Sequence, residues 1–187
     1  MDIIIDEGTK FAAVTIPITN KDGIEYMLLE KRSMGLPDQP GDICLPGGMV
    51  EDGETPLEAA LRETEEELLV DEKQIKVLGP SPALHSANIV IYPFMVNISN
   101  YNGDFDEEVS EILYVPLEFF KNTKPESYPL EWKVQESSDF PYDRIVGGKN
   151  YKWRKHIIPE LFYDFQGTTI WGITAKIIYH AIYKERL

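Results

Sequence analysis

Residues 55–69 constrain this chain more than any other stretch, because they encode a capped amphipathic helix whose polar side is almost entirely acidic. Thr55 is a good N-cap, Pro56 suits the first helical position, and Glu58 completes a capping box. Leu57, Ala60, Leu61, Thr64 and Leu68 then fall on one stripe at helical spacing, and that stripe faces a core. Residues 51–67 hold Glu51, Asp52, Glu54, Glu58, Glu63, Glu65, Glu66 and Glu67, with Arg62 the one basic residue among them. Most acidic runs are solvated helix faces. Here, however, Glu63, Glu66 and Glu67 share one sector of about 100° beside the apolar stripe. Like charges at such spacings cost about 0.2–0.5 kcal/mol a pair. Negative charge in the carboxyl-terminal half of a helix also opposes the macrodipole, by about 0.3–1 kcal/mol a group. Folding alone gives no reason for this placement. A hard divalent cation, which takes oxygen ligands, does.

The flanking residues supply a sheet for such a helix. Residues 11–18 and 24–29 are apolar and rich in branched side chains, and Asn20, Asp22 and Gly23 between them predict a hairpin. Residues 34–41 contain two glycines and two prolines and read as a loop. A short strand at 43–45 ends in Pro46-Gly47-Gly48. Further strands are expected at 75–78, 88–98 and 112–115, a helical turn at 116–121, and a last helix over 169–184 with Ile170, Ile173, Ile177, Ile178 and Ala181 inward. Residues 122–150 are polar and aromatic and read as a long insertion with room for short strands. Strands followed by helices at two separated places predict a mixed α/β (α+β) sandwich, one domain over residues 1–187.

Composition narrows the function. The net charge of −14 argues against nonspecific nucleic-acid binding. It would also repel a phosphate substrate unless bound cations reversed the local field. No apolar run approaches the ~20 residues of a membrane span. Residues 1–10 carry Asp2, Asp6 and Glu7 where a secretory leader starts basic, so no targeting segment is expected. Cys44 is the only cysteine, which fits a reducing, cytoplasmic setting and reads as a small buried strand residue.

The order Gly48, five residues, Glu54, seven residues, Arg62-Glu63, two residues, Glu66-Glu67 resembles the Nudix box. Leu69 stands where the family has a second glycine, and Thr64 where it has an apolar residue. The resemblance implies an α/β/α sandwich around a mixed central sheet. It implies that Glu63, Glu66 and Glu67 bind Mg²⁺ or Mn²⁺, that Glu63 or Glu67 also deprotonates or orients water, and that the Gly48 region offers a backbone carbonyl. Arg62 would hold Glu54 by charge-assisted hydrogen bonds. The glycines, Gly47 included, would let metal or phosphate approach the backbone closely. The implied reaction is hydrolysis of a diphosphate linkage in a nucleoside diphosphate derivative.

Wider matches resemble the coenzyme A pyrophosphatase branch. They are Leu28-Leu29-Glu30-Lys31-Arg32-Ser33 running into Gly41-Asp42-Ile43-Cys44-Leu45-Pro46-Gly47-Gly48, then residues 106–112, 115–117 and 170–175. Lys31 and Arg32 are the candidate phosphate contacts. One departure matters: residues 34–40 contain no basic residue, and Pro37 stands where that branch carries arginine. Coenzyme A has a 3′-phosphate that such a cation would bind, so ADP-ribose, NADH and other nucleoside diphosphate compounds are the alternative substrates. A Nudix-fold binding module without catalysis is a third reading, although such modules usually lose box carboxylates and this chain keeps them all. Glu108 and Glu111 are candidates for a further acid, with surface charge the simpler reading of Glu108. His85 reads as structural or exposed. Tyr128, Trp132, Phe140, Tyr142, Tyr151 and Trp153 could stack on a nucleobase or pack a homodimer interface, with packing the simpler reading.

Overall fold

The computed structural model describes residues 7–183, so Met1 to Asp6 and the expected helix end at Lys184 lie outside the described residues. In chain order the elements are β1 (Lys10–Lys21), β2 (Ile24–Arg32), β3 (Ile43–Cys44), β4 (Gly47–Met49), α1 (Pro56–Leu68), β5 (Ile75–Pro80), β6 (Leu84–Ser86) and β7 (Ile89–Ile98). They continue with β8 (Val109–Pro116), α2 (Leu117–Asn122), β9 (Glu126–Trp132), β10 (His156–Phe165), β11 (Thr168–Trp171) and α3 (Gly172–Tyr183). The expected hairpin is β1–β2. Its two-residue turn has Asp22 at φ 53° and Gly23 at φ 82°, the twist that joins antiparallel strands tightly. The Asn20 side chain accepts the Gly23 N–H at 3.1 Å.

Eight strands form a mixed sheet in the order β3-β2-β1-β7-β5, with β4 on β1, β6 on β7 and β8 on β2. The β1–β7 pair, Lys10 beside Ile89 through Ile18 beside Asn97, is the parallel one. β1 lies at the centre and is buried on both faces, alternating as a strand must. Ala13 packs on Ala59 and Ala60 of α1. Ala12, Ile16 and Ile18 join the opposite core with Phe120 of α2 and Ile177 and Ile178 of α3. Helices on both faces of a mixed sheet are the α/β/α sandwich expected. Each fully buried side chain such as Ile16, Leu29 or Ile178 stabilises it by about 1.5–3 kcal/mol.

Beyond the unforeseen strands β4, β6 and β10, two parts differ most from the sequence expectation. The last helix begins at Gly172, not residue 169, because Thr168–Trp171 pairs antiparallel with β10. Ile170 reaches the core from that strand and only mimics a helical step to Ile173. The segment 122–150 also does more than elaborate a loop. Its β9 pairs with β10 to build a second, three-stranded sheet, and two 3-10 turns follow at Tyr142–Arg144 and Gly148–Asn150.

Candidate active site

The box helix is set by its own ends. Thr55 Oγ1 accepts the Glu58 N–H at 3.3 Å while Glu58 Oε2 accepts the Thr55 N–H at 2.8 Å, so two orphan donors of the first turn are satisfied. At the other end Leu69 adopts φ 48°, ψ 47° and its N–H bonds the Glu65 carbonyl. The chain therefore keeps the left-handed cap that glycine supplies best, but with a leucine. Thr64 is fully buried, and it donates to the Ala60 carbonyl at 2.7 Å while lying 2.7 Å from Thr15 Oγ1. The polar substitution at this apolar position is matched by a threonine on β1.

Arg62 organises the acids. Its Nε and Nη2 donate to the two oxygens of Glu54 at 2.9 and 3.3 Å, as expected. Its Nη1 also donates to Glu63 at 2.8 Å and to Glu66 at 3.4 Å. The fork holds the Glu54 carboxyl below its ordinary range, chiefly through the Arg62 hydrogen bond. Glu67 is buried, and its Oε2 accepts the Gly47 N–H at 2.8 Å. Burial pushes its pKa up to about 8; the Gly47 hydrogen bond opposes this, and Glu63, Asp106 and Glu108 add repulsion. Burial likewise raises Glu63, against the pull of Arg62. Glu66 is largely exposed.

Antiparallel pairing of β4 with β1 sets Gly48 opposite Ala13 and Gly47 opposite Val14, beside these acids. A Cβ on Gly48 would lie 2.6 Å from the Glu63 carboxyl carbon. One on Gly47, whose φ is +147°, would lie 2.6 Å from Val14 Cα. Backbone blocks a side chain at Gly47, whereas at Gly48 a Cβ would have to push the Glu63 carboxyl aside. Among the described residues no three acidic, histidine or cysteine side chains converge tightly enough to hold an ion as they stand. Glu63 and Glu66 are turned onto Arg62, and Glu67 onto Gly47. The donor set nonetheless fits a hard divalent cation: carboxylate oxygens, a glycine-walled approach, and a buried acid, Glu67, that meets a backbone N–H and no cation. Such an ion, when bound, polarises phosphoryl oxygens and lowers the pKa of the attacking water.

Sequence reasoning missed Glu30. It is 1 % exposed, and its Oε1 has no hydrogen-bond partner among the described residues. Its Oε2 accepts the Cys44 thiol at 3.9 Å. Burial, then repulsion from Glu67 and Asp106, raises its pKa well above the usual range. Glu30 shares a strand face with Leu28, which packs on Leu68 of α1, so this carboxyl belongs to the layer between sheet and box helix. Its one sequence signal was an acid directly following the apolar run Met27-Leu28-Leu29. Asp106 was also missed as a neighbour of Glu67; its N–H bonds the Glu67 carbonyl at 3.0 Å.

The two expected phosphate cations separate. Lys31 pairs with Glu111 at 3.7 Å, both side chains exposed. Arg32 Nε donates to the Asp38 carbonyl at 3.2 Å, and its charge acts on Glu30 and Cys44. Glu108 is exposed, yet its charge reaches Glu63 and Glu67. Cys44 sits in β3 and is half-buried rather than buried. His85 is exposed on β6. Phe140, Tyr142, Tyr151 and Trp153 pack edge to face at centroid distances of 5.0–5.9 Å, whereas Tyr128 packs on Phe162.

The model of the NUDIX domain matches residues 9–133. The chain belongs to the Nudix family. Its Nudix relatives include Nudix hydrolase 3 of Caenorhabditis elegans, 38 % identical over 105 residues, covering 55 % of this chain and 41 % of that one. Peroxisomal coenzyme A diphosphatase NUDT7 of Mus musculus is 29 % identical over 147 residues, covering 72 % and 61 % respectively. The chain thus spans less than two thirds of either relative's length. The crystal structure of a C. elegans Ap4A hydrolase superposes with TM-score 0.50 at 24 % identity, over 57 % of this chain and 80 % of that one, which establishes a shared Nudix fold. No described helix is long and apolar enough to cross a membrane.

Proposed function

We propose that this Nudix protein is a pyrophosphohydrolase that uses Mg²⁺ or Mn²⁺ to hydrolyse the diphosphate linkage of a nucleoside diphosphate derivative, with coenzyme A and its acyl derivatives as the leading substrates. The observation that carries this reading is the joint placement of Glu63, Glu66 and Glu67 beside Gly47 and Gly48, with Glu67 buried and its carboxyl facing a backbone N–H and no cation. Glu63, Glu66 and Glu67 hold the cation, with the Gly48 backbone adding an oxygen. Glu63 or Glu67 orients the attacking water and takes its proton. Arg62 fixes Glu54 and neutralises whichever box acid the cation does not engage. Arg32, which reaches the Cys44–Glu30 layer, is the stronger candidate for a phosphate contact; Lys31 is turned to Glu111.

The matched relative named for coenzyme A supports the leading substrate. The loop at residues 34–40, with Pro37 and no cation, supports ADP-ribose, NADH or a related compound as the second reading. Chromatographic product analysis with Mg²⁺ or Mn²⁺ separates them. Fastest release of 4′-phosphopantetheine and adenosine 3′,5′-bisphosphate from coenzyme A supports the first. Faster cleavage of ADP-ribose, NADH or a dinucleoside polyphosphate replaces it, and no cleavage of any leaves a substrate outside this set or the binding-module reading. A single domain, a reducing cytoplasmic setting suited to the one free cysteine, and a homodimer complete the proposal.

A further inference from the structure

A cavity of about 450 Å³ opens on the side of the sheet away from α1, between β3, the second sheet and the start of α3. That volume is in the range of small-molecule sites. Its lining includes Gly47 and Arg32, and Gly47 is also the residue whose N–H binds Glu67, so the cavity adjoins the box carboxylates. Two features of its wall are not accounted for by folding. The first is Glu160 on β10. Its side chain is 12 % exposed, and Oε2 pairs with the equally enclosed Lys176 of α3 at 3.0 Å. Its Oε1 is buried and has no hydrogen-bond partner among the described residues. An enclosed carboxylate oxygen left unpaired is costly, and here it borders a cavity. The second is a pair of indoles, Trp132 at the end of β9 and Trp171 at the end of β11, which are 51 % and 43 % exposed although they border that same cavity. Trp171 is braced from behind by Phe162, stacked at 5.9 Å and 10°.

We propose that this cavity is a base-binding subsite. It would take a planar nitrogen heterocycle with an exocyclic amino group, of which adenine is the type, from the nucleoside whose phosphates pass Arg32 and Gly47 to the box acids. The proposal rests on the hydrolase reading for the phosphates alone. Flat π-faces stack on the indoles, and an amino N–H satisfies Glu160 Oε1, an acceptor that has no proton to offer while it is paired to Lys176. A neutral, flexible thiol arm would use neither feature as well.

The test uses neutral probes without metal, so phosphate binding and hydrolysis play no part. Adenosine, ribose and pantetheine are titrated separately into the protein, read by tryptophan fluorescence and by calorimetry. The chain has three tryptophans, Trp132, Trp153 and Trp171. Saturable quenching by adenosine is expected, with none by ribose at equal concentration. Trp132→Phe should lose a large share of the quench and Trp153→Phe should not. Glu160→Gln should weaken adenosine about tenfold or more, the worth of a hydrogen bond to a charged group. Trp132→Ala, at an exposed position, covers the case in which Glu160→Gln fails to fold. Absence of adenosine binding, equal binding of ribose, or quenching by pantetheine in place of adenosine overturns the subsite. Hydrolysis by wild type with Mg²⁺ is scored separately, so either proposal can fail alone.

Discussion

Replacing Leu69 by glycine and, in parallel, by alanine separates backbone strain from side-chain contact at the end of the box helix. Leu69 sits at φ 48°, ψ 47° and is 55 % exposed. A non-glycine residue in that region carries about 1–2 kcal/mol of strain. Both substitutions remove nearly the same leucine contacts, so comparing them cancels that loss. Alanine keeps the strain. Glycine removes it but adds about 0.4–1 kcal/mol of unfolded-state entropy. The balance favours glycine over alanine by about 1 kcal/mol, the reverse of the order inside a helix, where alanine wins by a similar amount. For a chain of this size about 1 kcal/mol is roughly 2–4 °C in Tm. Thermal and urea unfolding of the two variants, at one pH and without metal, read the difference directly. Equal stabilities, or a more stable alanine variant, would refute the left-handed cap and the account of Leu69 as a strained stand-in for glycine.

Three further outcomes follow from the site. Glu66→Gln should leave Tm nearly unchanged, because the side chain is largely exposed, yet lower turnover at least about a hundredfold, the scale on which even outer partners of metal ligands count; near-native activity would mean the ligand set is misassigned. Gly48→Ala drives a Cβ to 2.6 Å from the Glu63 carboxyl carbon and should displace that flexible side-chain end at little cost in Tm, with Mn²⁺ affinity by calorimetry falling; unchanged affinity would place Glu63 outside the metal set. The metal-free protein should lose stability as pH rises, because Glu67 is raised from 4.5 to about 8 in the folded chain. A raised folded value favours the neutral acid, so its contribution is complete below about pH 4.5 and gone once pH passes about 8. Saturating Mg²⁺ should flatten that decline, and Glu67→Gln should reduce it to the part that the raised Glu30 and Glu63 carboxyls leave; a Tm rising with pH over this window without metal would reverse the sign and sink the assignment.

What was legible in the sequence is what its own neighbours determine. The capping box, the Asp22-Gly23 turn and the Arg62–Glu54 pair depend on residues within one turn or two, and each appears where the spacing puts it. β10 was not legible, since Pro159 and mixed polarity hide a strand that exists because β9 and β11 flank it. The same non-local pairing moved the start of the last helix from residue 169 to Gly172. Glu30 was hidden for a different reason. In Glu30-Lys31-Arg32 it reads as a solvated strand end, and only β3 and β8 on its two sides, with α1 above, close it off from water. The departures at Thr64 and Leu69 were visible as departures, but their remedies, Thr15 and a left-handed leucine, were not.

The parallel seating of β7 against β1 bears on the order in which the molecule can be made. The box helix holds its capping chemistry within its own residues and can form as soon as they exist. Its apolar stripe rests mainly on β1, and β1 is completed on one side by a strand that begins only at Ile89. Pairings between such distant stretches of chain close slowly. A nascent chain halted before that strand emerges would carry every residue of the box and still have only part of the sheet on which to set it.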